Sequence, residues 1–147
     1  MSNGRGRRGS AAMEFAIWLP IMTFMVSAVV DYGYYMTRRV SVARSAMEGA
    51  RLGAAVYEPT AMAPGTDIQP KAKARAEDMM TSMGIPCAGS CVVATYCPDE
   101  AGSACGDPPF DAVEVDITYP FTPIFGIVPI PTEIHEVQLM AVENQRE

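Results

Sequence analysis

Glu14 is the single charged side chain in the run AAMEFAIWLPIMTFMVSAVV, Ala11 to Val30. A carboxylate placed in such a run needs a partner, because an acidic side chain held at mid-bilayer costs about 2.5–3.5 kcal/mol on insertion scales, and the shallower position of Glu14 lowers that cost without removing it. The free N–H groups and dipole of a helix N-terminus are one partner. The free α-amine of a neighbouring chain would be a better one, since both members of the pair would carry charge. Gly9 stands five residues before Glu14, behind the cluster Arg5, Arg7 and Arg8, and hydrolysis after Gly9 would create that amine on Ser10. Phe15 follows the carboxylate. Pro20 lies inside the run, where it would leave a helical carbonyl without its usual donor and allow a local bend.

Other residue types with chemical potential are few. Cys87, Cys91, Cys97 and Cys105 crowd into nineteen residues with the spacing C-x3-C-x5-C-x7-C. An even number at these spacings suits two disulfides in an oxidising compartment better than a zinc site, which would favour paired CxxC ligands. Four cysteines allow three pairings, and on a regular strand Cys91 and Cys97 would share a face and be neighbours in space. His135 is the one histidine and sits between acidic residues in a strand-like segment. A lone strand histidine is a structural residue far more often than a base or ligand, and a Ser/His/Asp or Cys/His site would have to be built on it alone. No Gly-rich phosphate loop and no acidic calcium loop of the right spacing is present, so the sequence reads as a non-enzyme that needs no cofactor or metal.

The elements that position these residues follow from apolar periodicity. Ala11 to Val30 is twenty residues long, and at about 1.5 Å per residue it matches a hydrocarbon core of roughly 30 Å. No proline follows until Pro59, and small residues recur at helical spacing, so one helix is expected over residues 10–57 with residues 11–30 in the membrane. Residues 1–9, MSNGRGRRG, lack apolar periodicity and are expected to be a disordered leader. Ala46, Ala50 and Ala54 recur every four residues beside the small-xxx-small pair Gly49 and Gly53, a smooth stripe suited to packing under the chain's own distal domain or against a neighbouring subunit. Residues 58–70 carry three prolines and a glycine and read as a loop.

A second helix is expected with Pro70 in its first turn, Ala72, Ala76, Met79, Met80 and Met83 on one side, and Gly84 and Pro86 as the stop. Three strands are expected: Cys91–Cys97, Val113–Tyr119 with strict alternation, and about Glu133 to Glu143. The connection PFTPIFGIVPIP, Pro120 to Pro131, is apolar and broken by proline. It reads as a packed loop, with placement of Phe121, Ile124, Phe125 and Ile127 near lipid or a partner as the other reading. The fold class is therefore α+β, with a long N-terminal helix, a short helix and a small antiparallel sheet over residues 58–147.

Charge is segregated along the chain. Residues 58–147 hold four basic and fourteen acidic side chains, a balance of minus ten, which argues against nucleic acid as a partner and fits a solvated surface. The Arg5, Arg7, Arg8 cluster favours a cytoplasmic N-terminus, although Arg38, Arg39 and Arg44 lie close beyond the other end of the span. The cysteines place the C-terminal domain outside the cytoplasm. A secretory signal peptide would have a shorter apolar core followed by an A-x-A-like cut, whereas here apolar helix runs straight into amphipathic helix.

The junction RRG/SAAMEF resembles the type IV prepilin class, whose peptidase cuts after Gly on the cytoplasmic side of the apolar segment and whose mature subunits carry Glu five residues beyond the cut. Gly9, Ser10, Glu14 and Phe15 occupy those positions in turn. More narrowly, RRGSAAMEFAIWLP with its interior Pro20, SAMEGARLGA from Ser45 to Ala54, and VEVDITYPFTPIFG from Val113 to Gly126 resemble the TadE-like pseudopilins of tight-adherence pili. The cysteine-bearing segment 87–105 departs from that pattern. The resemblance implies a pilin-like precursor in the bacterial inner membrane, N-terminus cytoplasmic and distal domain periplasmic. Its implied partners are a prepilin peptidase, other pilin or pseudopilin subunits, the inner-membrane assembly platform and membrane lipid. The chain's length favours a minor subunit that serves pilus biogenesis and adhesion.

Overall fold

The computed structural model describes residues 6–55, 67–87, 90–98, 105 and 110–142, in the order α1 (Gly6–Ala55), α2 (Ile68–Ser82), β1 (Val92–Cys97), β2 (Ala112–Pro120) and β3 (Glu133–Ala141). The architecture is α+β, as the periodicity implies. By contact the chain divides into two units: residues 1–36 with 122–130, and residues 37–121 with 131–147.

In the second unit, α2 ends as its sequence dictates. Gly84 adopts φ +70 after the last turn, a conformation glycine enters without a Cβ penalty. The Gly84 N–H donates to the Thr81 carbonyl at 3.1 Å and the Ile85 N–H to the Met80 carbonyl at 3.0 Å. This is the Schellman arrangement, completed by the buried pair Ile85 and Met80. Pro70 lies in the first turn of α2, and Ile68, Ala72, Ala76 and Met80 form its buried stripe.

The sheet has the order β1-β2-β3 and is antiparallel throughout. In the central strand Val113, Val115 and Ile117 are buried between the half-buried Glu114 and Asp116, each apolar side chain stabilising the fold by roughly 1.5–3 kcal/mol through burial. Ala46, Ala50 and Ala54 of α1 are buried with them. Gly49 and Gly53 explain how α1 and α2 come so close. A Cβ built on Gly49 would lie 2.8 Å from the Ala76 Cβ and 2.9 Å from the Ala72 carbonyl oxygen, and one on Gly53 would lie 2.9 Å from the Ala72 Cβ and 3.0 Å from Val113 Cγ1. The small stripe of α1 thus packs within its own domain. Arg39 reaches from α1 to Glu136 on β3, Nε to Oε1 2.6 Å, and Arg38 donates to the Gly84 carbonyl at 3.1 Å.

Three expectations need adjustment. Helix α1 begins at Gly6, inside the stretch expected to be an unstructured leader. Once a long helix is nucleated, adding a residue costs little, and Arg is a good helix former. Residues 1–5, the loop up to residue 66, residues 56 and 57, and the chain beyond residue 142 lie outside the described residues. Cys91 and Cys97 are not neighbours: β1 separates them, and its residues at about 3.3 Å each span roughly 20 Å. The disulfides instead join Cys87 to Cys91 and Cys97 to Cys105, with Cα–Cα distances of 6.0 and 5.8 Å, within the normal bridging range. The Pro120–Pro131 connection is packed only in part. Phe121 is buried, whereas Ile124, Phe125 and Ile127 are exposed.

Candidate functional site

The first unit presents an apolar surface of the kind lipid solvates. From Met13 to Val30, Met13, Phe15, Ile17, Trp18, Leu19, Ile21 and their neighbours are all exposed large apolar side chains. Helix α1 is long and apolar enough to cross a membrane. It continues without interruption through Pro20, whose missing N–H leaves the Ala16 carbonyl without its helical donor. The hydroxyls that follow bond back into the helix, Thr23 Oγ1 to the Leu19 carbonyl at 2.9 Å and Ser27 Oγ to the Thr23 carbonyl at 2.8 Å. Both hydroxyls are thereby satisfied within the helix, as an apolar solvent requires.

Gly9 and Ser10 are part of this helix, and Glu14 follows one turn later as an exposed side chain beside Phe15. On a helix the Ser10 and Glu14 positions are i and i+4 and lie on one face. Pro20 stands further along the same helix. The structure thus places Gly9, Ser10, Glu14, Phe15 and Pro20 on one element, and the cysteines belong to the other unit.

Residues 9–51 match the family model described as a TadE-like protein. The N-terminal helix of this chain is therefore similar to that of TadE-like proteins. The matched stretch is well under half of the 147 residues, starts at Gly9 and takes in Glu14, Pro20 and the Gly49 position. No curated protein and no solved structure matches the chain. The matched stretch lies within α1 and includes the apolar part of the helix that is long enough to cross a membrane.

Sequence reasoning missed Asp31. It closes the apolar run of the TadE-like helix, yet its side chain is fully buried. The covering element is the segment 122–130: Oδ1 accepts from the Ile124 N–H at 2.8 Å and the Phe125 N–H at 2.9 Å, and Oδ2 accepts from the Gly126 N–H at 2.9 Å. Three successive N–H groups turned onto one anion form a nest. Gly126, at φ +66, supplies the left-handed residue that curls it. The available signal was an acid at the last turn of an apolar run, matched by a loop rich in apolar residues and proline. Nothing in residue spacing links positions 93 residues apart.

His135, on the outer face of the sheet, lies 2.9 Å from Asp116 Oδ1 through Nε2. The two are diagonal across β2 and β3, since Asp116 pairs with Val137 and Thr118 with His135. Asp116 Oδ1 is buried without a well-aligned hydrogen-bond donor, so the contact is a charge pair only when His135 is protonated. The adjacent Asp116 holds the His135 pKa above the usual 6.5. Among the described residues, no group of three His, Cys, Asp or Glu side chains is placed to hold a metal ion.

Proposed function

We propose that the protein is a minor pilin or pseudopilin of a tight-adherence pilus assembly or secretion system. It is made as a precursor, cut by a prepilin peptidase after Gly9, and held in the bacterial inner membrane with its N-terminus cytoplasmic and residues 58–147 in the periplasm. The observation that carries this reading is the TadE-like match, which begins at Gly9 and runs through Glu14. Processing leaves Ser10 as an α-amine at the cytoplasmic end of the span, and Glu14 pairs with the Ser10 amine of an adjacent subunit. In an apolar surround that pair is favourable only with close geometry, so it also sets the register between neighbours. The exposed apolar side chains from Phe15 to Val30 hold the subunit in lipid until lateral transfer exchanges lipid contacts for helix contacts. Its partners are the peptidase, other pilin subunits and the assembly platform, and its role is in pilus biogenesis and adhesion.

A second reading is favoured by the outer face of the sheet, where Val93, Val137 and Leu139 are exposed: a signal-anchored envelope binding protein that never enters a filament. Glu14 separates the two. Co-purification of pilus subunits with the full chain from detergent-solubilised membranes should be lost in Glu14→Ala while the protein remains in the membrane. Equal recovery with and without Glu14 would favour the anchored binding protein.

A further inference from the structure

Residues 122–130 connect two strands, yet they belong by contact with residues 1–36. Between Asp116 and Glu133 the chain carries no charged side chain. At the loop's tip Ile124, Phe125 and Ile127 are 59%, 54% and 50% exposed, an apolar cluster that water solvates poorly. The loop is fastened to Asp31, the first residue past the apolar run. Phe125 lines a groove of about 430 Å³ with Trp18, Met22, Val26 and Ser27. Val26 is five residues before Asp31, so Phe125 reaches roughly 7 Å or more back along the helix into the level of the run.

Irregular backbone is tolerated at membrane depth only where its polar groups find partners inside the protein. This loop meets that condition in two ways. Pro123 and Pro129 have no N–H to satisfy, and the three N–H groups at the tip are taken up by Asp31. An acid at the end of a span also gains from donors that replace the water it loses. Asp31 and the loop tip therefore satisfy each other's polar groups, and the exposed side chains at the tip, Ile124, Phe125 and Ile127, are apolar.

We propose that the segment 122–130 is a second membrane-contacting element, a wedge whose Ile124, Phe125 and Ile127 sit among acyl chains of the leaflet on the Asp31 side, locked onto the span by the Asp31 carboxylate. The occupant is lipid, because the exposed apolar surface of the loop continues that of residues 15–30 and no charged side chain lies in either stretch. The wedge fixes the depth of the span and adds a lipid contact that must be surrendered when the subunit leaves the bilayer. The proposal rests on the reading of residues 11–30 as a membrane span, and Trp18, the single tryptophan, reports on that reading separately.

The test uses the full chain reconstituted in phosphatidylcholine vesicles with brominated acyl chains, which quench tryptophan on contact. The natural chain reports the span through Trp18. A Trp18→Phe, Phe125→Trp chain reports the loop. The expected result is quenching of the tryptophan at 125 comparable to that of Trp18, with a blue-shifted emission, falling at least twofold when Asp31→Ala is added. Quenching of Trp18 with none at 125 would overturn the proposal while leaving the span intact. A blue-shifted, unquenched tryptophan at 125 that depends on the protein-to-lipid ratio would overturn it in favour of a neighbouring copy. Loss of quenching at both positions would remove the span and the wedge together.

Discussion

Helix α1 passes through two environments, and its two halves obey opposite rules. From Thr37 onward, its inward residues Val42, Ser45, Ala46, Gly49, Ala50 and Gly53 are small or β-branched and buried, and the large exposed residues are few. From Met13 to Val30 the large residues face outward, and the buried positions are Ser27 and, just beyond, Asp31. A water-soluble domain hides apolar atoms and displays polar ones. The first unit reverses that order because its expected solvent is hydrocarbon, where polar groups are what must be hidden. The large apolar residues thus face outward in the first half of the helix, whereas in the second half the buried stripe is mostly apolar, as expected if the first half lies in hydrocarbon.

The largest effects expected from breaking this contrast are in the second unit. Ile117→Ala should destabilise it by about 2–5 kcal/mol through loss of buried methyl groups and the cavity left behind, read as a lower urea midpoint by near-UV circular dichroism in detergent. Replacing Ile21, equally apolar but exposed, should leave that midpoint within about 0.5 kcal/mol. Glycine substitutions sharpen the same comparison. Gly49→Ala should cost about 1–3 kcal/mol because the new Cβ meets the Ala72 carbonyl and Ala76. Gly33→Ala, where nothing lies within 4 Å of the added Cβ, should instead be neutral or stabilise the helix by up to about 1 kcal/mol.

Asp31→Ala should act locally. The amides of Ile124, Phe125 and Gly126 lose their acceptor, and their hydrogen exchange should speed up by about tenfold or more, equivalent to roughly 1.4 kcal/mol. The urea midpoint of the second unit should stay where it was. A midpoint that fell as far as in Ile117→Ala would mean that the two units do not behave independently.

The smallest effect is a pH dependence. The folded pKa of His135 is raised by Asp116, so the pair's contribution to stability is complete below the unfolded value of about 6.5 and fades as pH rises through the higher folded value. His135 is exposed, and the change should be slight. The urea midpoint should drift down between about pH 6 and 8, and the drift should vanish in His135→Gln.

Much of the fold could be read directly from the residues. The alternation of Val113, Val115 and Ile117, the stop at Gly84 and Pro86, and the twenty-residue apolar run each encode an element through local spacing. The proposed processing and assembly positions Gly9, Ser10, Glu14, Phe15 and Pro20 form a local pattern, since they sit within a dozen residues of one another. What was not readable depends on distant partners. The pairing of four cysteines is set by where β1 and its flanks run. The helix-to-helix contact at Gly49 needed the partner residues Ala72 and Ala76. The Asp31 nest joins an acid to three backbone N–H groups, and backbone groups leave no mark in a sequence.

Maturation of the chain as a prepilin requires a cut after Gly9. It is tested most directly by the mass of the N-terminal peptide of the protein taken from native membranes, beside that of Gly9→Ala expressed in the same cells. A terminus at Ser10 that disappears in the variant is the expected result; an intact Met1 or Ser2 terminus in both would rule out prepilin maturation and leave a plain signal-anchored envelope protein.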